Sequence, residues 1–554
     1  MDDFNAFNAP NEQTPKKKKA SPKRKKSRTF ELNSKTLLIT LISVVALVLL
    51  IIVVVSVINS SSKDLVAQNN TFVSYESEGS YVVEMNGQVV GEAFENEIIL
   101  TPAADNSFAY ITEEAEDGGY NIYILENKKI IEVADGVSEV LSYAQFAPGV
   151  VYREEKVGKS KIYFYANEDE NSITSNVSAS SFVISPDATA VAYTALNDQG
   201  EVKLYLFIDG SSESYATNMI PVSLTKGGEY IYAYGADELG SKKLYLVPTE
   251  DNDKVSIASN FGEIMYSNID GDEIIYSTMA LGADASVSYQ SHIFTIKSGA
   301  STKIGGGVCQ PVLSDPNVVR LSSLKNIVVQ NIYPNLENNS SIVYYINKNY
   351  ESTKIASYNG QLSSDGDRFY FINSESKLCY VEVTEKKART TQKITDNVSE
   401  FIITAKDNVY YLTDDNNLMF YKSTTEKKNR IFEDVTTLSF NRYSNILYFD
   451  TLDGNKIYMT EEGSDEELVS FDRVEISGLP IFTSPAQKRT YAYLFNAETK
   501  LYDVYYTSTG KTFKLVASDC TVVNNIELPF LPPVTDDGTE EGEGEESAET
   551  TGNS

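Results

Sequence analysis

The sequence predicts an all-β protein, a β-propeller of about ten four-stranded blades placed after a single amino-terminal transmembrane helix. Three observations carry this. An apolar residue leading into a tyrosine recurs at Tyr110, Tyr152, Tyr193, Tyr232, Tyr276, Tyr370, Tyr411, Tyr448 and Tyr493, and a period of about 42 residues is that of a propeller blade. Each phrase is followed by a polar turn and a second apolar-aromatic pair, such as Leu204-Tyr205 or Leu244-Tyr245, whereas no long window has apolar residues at helical spacing. Finally, Leu37 to Ile58 is an unbroken apolar run without a charge.

Residues 1–35 carry ten Lys and Arg against four acids and are too poor in apolar residues to bury a core. They are expected to be a disordered basic tail. Residues 36–58 follow as the membrane span, since a helix of that length crosses a hydrocarbon core of about 30 Å. The basic cluster before it, Lys16, Lys17, Lys18, Lys19, Lys23, Arg24, Lys25, Lys26 and Arg28, is a topology signal that keeps the amino terminus cytoplasmic and exports the rest. The same residues attract anionic lipid headgroups. The run is longer than a signal-peptide core and lacks a small-residue cleavage site, so it reads as an uncleaved anchor in contact with membrane lipid.

Residues 59–70, rich in Ser and Asn, read as a linker. The repeat body then occupies 71–530, in which about 42 residues divide into four strands and turns of roughly ten residues each. The step of 94 residues between Tyr276 and Tyr370 hides one degenerate unit, with an outer strand at Ile342 to Ile346 and an inner strand within Val318 to Val329. That makes ten units, or eleven if Tyr81 to Ile99 is counted. Propellers typically have about 4 to 8 blades, so the array is either one large ring or two lobes divided near 298–338, with a lean toward two. Residues 531–554 contain eight acids and no base and read as a disordered acidic tail.

The formal charge of -31 concentrates in the body. A nucleic-acid surface must neutralise phosphates with basic side chains, so no nucleic-acid partner is expected. Cys309, Cys379 and Cys520 are too few and too far apart for a disulfide framework, which fits an exported bacterial protein. His292 is the sole histidine; this removes HExxH zinc sites and triads elsewhere in the body. Gly158-Lys159-Ser160 and Gly510-Lys511-Thr512 lack the upstream glycine of a phosphate loop and read as hairpin turns. Gly305-Gly306-Gly307 reads as a flexible turn. Asp270-Gly271-Asp272-Glu273, Asp365-Gly366-Asp367 and Asp453-Gly454-Asn455 offer oxygen ligands that calcium could use, but Asp-Gly is also a strong turn signal. No catalytic residue, metal or cofactor is assigned.

Ser185-Pro186-Asp187 before Val191-Ala192-Tyr193 and Leu204-Tyr205-Leu206 resembles the repeat of TolB-type, WD-repeat-like propellers. Leu362 to Gly366 before Phe369-Tyr370 and Ser484-Pro485 before Tyr491 to Tyr493 are similar but weaker copies. Tyr411-Leu412-Thr413-Asp414 and Tyr448-Phe449-Asp450-Thr451 with Lys456-Ile457-Tyr458 resemble the YWTD repeats of low-density-lipoprotein-receptor-type propellers, without the tryptophan. The resemblance spans about Tyr81 to Cys520 and implies a propeller that binds proteins on one face of its disc. In place of the separate amino-terminal domain of TolB this chain has a membrane span, so no Tol-system role is implied.

The expected function is therefore a membrane-anchored, single-pass, extracytoplasmic binding or scaffold module of the bacterial cell surface, non-enzymatic, with a protein or a cell-wall polymer as ligand. Two alternatives stay open: a glycan-active hydrolase or lyase using carboxylates on the propeller face, and a sensor reporting across the membrane through the basic tail.

Overall fold

The computed structural model describes residues 63–522 apart from 69, 116–117, 157, 237–239, 252, 282–285, 316, 334–339, 385–389, 442–444, 453–455, 472–480, 483–489 and 497–498. The basic tail, the run Leu37 to Ile58 and the acidic tail lie outside the described residues. Among the described residues no helix is long and apolar enough to cross a membrane.

Ten antiparallel sheets follow one another along the chain. Blades 1 to 9 are four-stranded and occupy 98–137, 139–174, 180–217, 220–259, 261–306, 309–358, 360–395, 398–432 and 435–468; blade 10 spans 481–522. Each recurring tyrosine lies on the second strand of its blade, at Ala190–Leu196 in blade 3 or Tyr230–Ala236 in blade 4. That strand is sandwiched between neighbouring sheets, so both faces of its first half are buried and apolar residues run consecutively there rather than alternating with polar ones. Tyr193 is paired across the sheet with Tyr205, the rings stacked with centroids 5.2 Å apart. Tyr152 stacks likewise on Tyr163, and Tyr276 on His292. The paired-aromatic phrase is therefore a cross-strand contact between second and third strands.

The blades close a single ring. Apolar clusters join each blade to the next from blade 1 through blade 10, for example Tyr110 with Tyr152, Tyr232 with Tyr276, and Ile275 with Val329. The division into two lobes expected near 298–338 does not occur, because blades 5 and 6 pack like any other pair, through Ile275, Ile293 and Ile304 against Cys309, Val329 and Ile346. Nor is Tyr81 to Ile99 an eleventh blade. The hairpin of Phe72–Ser77 and Ser80–Met85 pairs with the end of the last strand, Thr512–Val522, through Tyr75 opposite Val522. It packs on one side against Tyr491 and Val504 of blade 10 and on the other against Ile98 and Ile111 of blade 1. The beginning of the body thus fastens to its end.

Blade 6 is the degenerate unit. Its second and third strands are Ile327–Asn331 and Ser340–Ile346, but Val318–Arg320, included in the expected inner-strand region, belongs to no blade. It pairs with Leu65–Val66, so part of the expected linker 59–70 is structured. Nor is Gly305-Gly306-Gly307 simply a flexible turn. Gly305 and Gly306 lie in the strand Ala300–Gly306, where a Cβ on Gly305 would meet the Tyr344 ring. Close approach of blade 6, not turn flexibility, requires glycine there.

Gly360 opens blade 7 where a Cβ would fall on the Tyr370 carbonyl oxygen and within 2.9 Å of the Phe369 ring. Gly360→Ala is expected to destabilise by about 3 kcal/mol through overpacking against backbone that has no rotamer to yield. The check is a lower denaturation midpoint at unchanged m-value.

Candidate functional site: the axial turn face

The turns between first and second strands share one face of the ring, and hydrogen bonds tie them blade to blade. In blade 3 the Ser185 hydroxyl accepts from the amides of Thr189 and Ala190, both at 3.0 Å, and donates to Asp187 Oδ1 at 2.8 Å. Asp187 Oδ2 accepts from the Gly227 amide of blade 4 at 3.0 Å. The Ser-Pro-Asp motif therefore both closes its own turn and holds the next blade, a role for local side-chain bonding typical of turn residues. Blade 7 repeats the scheme with Ser363 and Asp365, and Asp407 accepts from the Ser364 amide at 2.5 Å. Backbone bonds from Ala104 to Gln145 and from Lys226 to Asp270 extend the linkage.

In blade 6 this turn is enlarged into a loop, 313–326, that leaves its own blade. Glu273 of blade 5 anchors it by accepting from the Leu324 amide at 2.5 Å and the Ser323 hydroxyl at 3.0 Å, while Tyr350 also donates to it at 2.5 Å. Asn268 Nδ2 donates to the Ser322 carbonyl, and the Leu321 amide donates to the Tyr266 hydroxyl at 2.8 Å. The amino-terminal segment crosses the loop as a strap. Asp64 accepts from both the amide and the hydroxyl of Ser322 at 2.7 Å, the Ala67 amide donates to Asn317, and the Gln68 amide donates to Asp105 of blade 1.

Arg320, at the end of the loop's short strand, reaches blades 5 and 2. Its Nε donates to the Ser267 carbonyl at 2.8 Å, its Nη2 donates to the Ser267 hydroxyl, and its guanidinium lies 4.4 Å from the centroid of the Phe146 ring. Beside it is a cavity of about 260 Å³ lined by first-strand and turn residues of blades 2, 3 and 4, among them Ser142, Phe146, Phe182, Ile184 and Ser223. Burial pushes the Arg320 guanidinium down to about 10, still protonated at neutral pH.

A second, acidic cleft on the same face is bordered by Asp187, Glu229, Asp270 and Asp272, with Lys226 and Lys297. Burial raises the Asp272 carboxyl above its usual range, partly offset by the hydrogen bond from Asn268 at 2.5 Å. Among the described residues no group of three or more His, Cys, Asp or Glu side chains is placed to hold a metal ion.

Of the residues singled out in the sequence, Asp270 to Glu273 and Asp365 to Asp367 are blade turns, the first also anchoring the loop, and Asp453 to Asn455 lie outside the described residues. The topology cluster Lys16 to Arg28 also lies outside them. Gly158 and Gly510 sit in hairpin turns. His292 is a strand residue whose Nε2 is 3.2 Å from the Thr278 hydroxyl, its pKa lowered by burial. The three cysteines are buried and free. Arg320 escaped sequence reasoning; the one signal was a base set between Val319 and Leu321 in the irregular stretch.

No protein-family model matches the chain, and no curated protein matches it. Among solved structures it is similar to TolB from Acinetobacter baumannii, at 12% identity over 53% of this chain and 81% of that one, with a TM-score of 0.26. It is also similar to the tricorn protease, at 10% identity over 82% of this chain and 58% of that one, with a TM-score of 0.26. An oligogalacturonate lyase in complex with manganese matches at 11% identity over 59% and 96%, with a TM-score of 0.32. At these scores the matches carry no argument, and the ten-bladed architecture rests on the sheets and clusters of the chain itself.

Proposed function

We propose that this chain is a membrane-anchored, extracytoplasmic binding or scaffold protein of the bacterial cell surface, without enzymatic activity. The observation that carries the reading is the strap and loop over the axial face. Ten blades make a wide ring, and two segments far apart in sequence are spent on covering its turn face while leaving a concave site beside Arg320. Such a built recess on a rigid scaffold suits recognition. The apolar run Leu37 to Ile58 and the bases before it supply the anchor and its orientation.

Protease added to intact bacteria expressing the full chain with an amino-terminal epitope should degrade the body and spare the epitope, and surface crosslinking should retain a protein or wall-polymer partner only when 71–530 is present. A body protected until the cells are lysed would overturn the placement. A crosslinking pattern indifferent to deletion of 71–530 would overturn the binding role.

A further inference from the structure

We propose that the axial cavity beside Arg320 binds a carboxylate carried on a small apolar body. The inference rests on the reading of the turn face as a binding surface and names the chemistry it recognises. Arg320 is the anomaly that motivates it. The chain has 78 acidic and 47 basic residues, yet among the described residues no carboxylate pairs with this guanidinium, whose neighbours include the Ser267 carbonyl and hydroxyl, Tyr266 and the face of Phe146. A guanidinium has five N–H donors in a planar fork. Two bonds to Ser267 leave donors over, and the side chain forms part of the cavity wall. A charge withdrawn from water without a counter-ion is unfavourable, and here burial lowers the pKa of the guanidinium without removing its charge at neutral pH. An anion entering the cavity would complete the pair.

The walls define the class of anion. Among the described residues Arg320 is the only charged one lining the cavity, alongside neutral polar groups that include Ser142, Tyr143, Gln145, Ser185 and Ser223. One positive charge matches a monoanion, and the planar fork matches a carboxylate in a bidentate pair. Phe182, Val183, Ile184, Val222 and Leu224 supply apolar surface for a short hydrocarbon portion. The carboxylate could come from a free short-chain acid or from the carboxyl terminus of a peptide, and the two sources are separable by experiment.

The test is calorimetric titration of the purified full chain with hexanoate, with hexanol, and with acetyl-trialanine as free acid and as amide. Saturable binding of hexanoate or of the peptide acid is expected, with at least about tenfold weaker binding of the matched neutral probe. Hexanoate alone would assign a free acid, and the peptide acid alone a chain terminus. Arg320→Gln should weaken the binding by a similar factor. Should that variant fold poorly, Ser223→Asp, which puts a carboxylate into the same wall, should raise the melting temperature and abolish anion binding. Failure of both acids to bind, or binding unchanged in Arg320→Gln and Ser223→Asp, would overturn the assignment; the crosslinking result above decides the broader binding role separately.

Discussion

A chain lacking residues 63–86 is expected to lose its cooperative thermal transition. The hairpin removed buries Phe72 and Val73 completely, and Tyr75, Val83 and Met85 almost completely, between blades 10 and 1. At about 1.5 to 3 kcal/mol for each large apolar side chain, the loss is about 7 to 15 kcal/mol as an upper estimate, comparable with the whole stability of an ordinary domain. The inner faces of blades 1 and 10 would be exposed at the same time, including Ile98, Leu100, Tyr491 and Val504. Calorimetry should show a broad, lowered transition, and limited proteolysis should cut first in those two blades. An unchanged, sharp transition would mean that the ring closes without the hairpin.

Glu84→Ala should also strongly destabilise this closure. Glu84, 2% exposed, accepts hydrogen bonds from the Tyr75 hydroxyl at 2.9 Å and the Tyr491 hydroxyl at 2.8 Å, and Tyr491 in turn accepts from the Gly87 amide at 2.6 Å. Removing the carboxylate deprives two buried hydroxyls of their acceptor, at a cost of about 3 kcal/mol. Glu84→Gln keeps one acceptor oxygen and should lose about 1 kcal/mol.

The pair of variants also has a pH signature. Burial raises the Glu84 carboxyl, and the hydrogen bonds from Tyr491 and Tyr75 offset only part of the rise. A raised acid binds more protons folded than unfolded between its ordinary range and its raised value, so its contribution to stability falls as pH rises through that window and is flat above it. The stability difference between the native chain and Glu84→Gln, measured from about pH 4 to pH 8, should therefore narrow with rising pH before levelling. A difference that grew with pH would show that the carboxyl is lowered in the fold.

The blade count was legible because the second strands are buried on both faces and so repeat an apolar-tyrosine phrase. Blade 6 broke the pattern: its second strand reads Ile327-Val328-Val329-Gln330-Asn331, with no tyrosine, and it is preceded by the loop that departs from the ring. The Ser-Pro-Asp turn was legible as a turn, but the reach of Asp187 to Gly227 in the next blade was not. Likewise Glu273 looked like one acid in an Asp-Gly turn, whereas its buried carboxylate fastens a loop about fifty residues ahead. Arg320 and its neighbours Ser267 and Phe146 share no local motif, and Asp64 meets Ser322 across 258 residues.

What the sequence determined by itself is the blade: strand, turn and aromatic pairing are set by contacts within about 42 residues, and side-chain alternation and turn chemistry encode them locally. What tertiary structure decided is the ring: that ten units form one circle, that the hairpin at 72–85 closes it, and that a strap and loop cover its turn face around the Arg320 guanidinium. Those outcomes depend on lateral packing and hydrogen bonds between residues hundreds of positions apart, such as Tyr491 with Glu84, and no local pattern records which distant surfaces will meet.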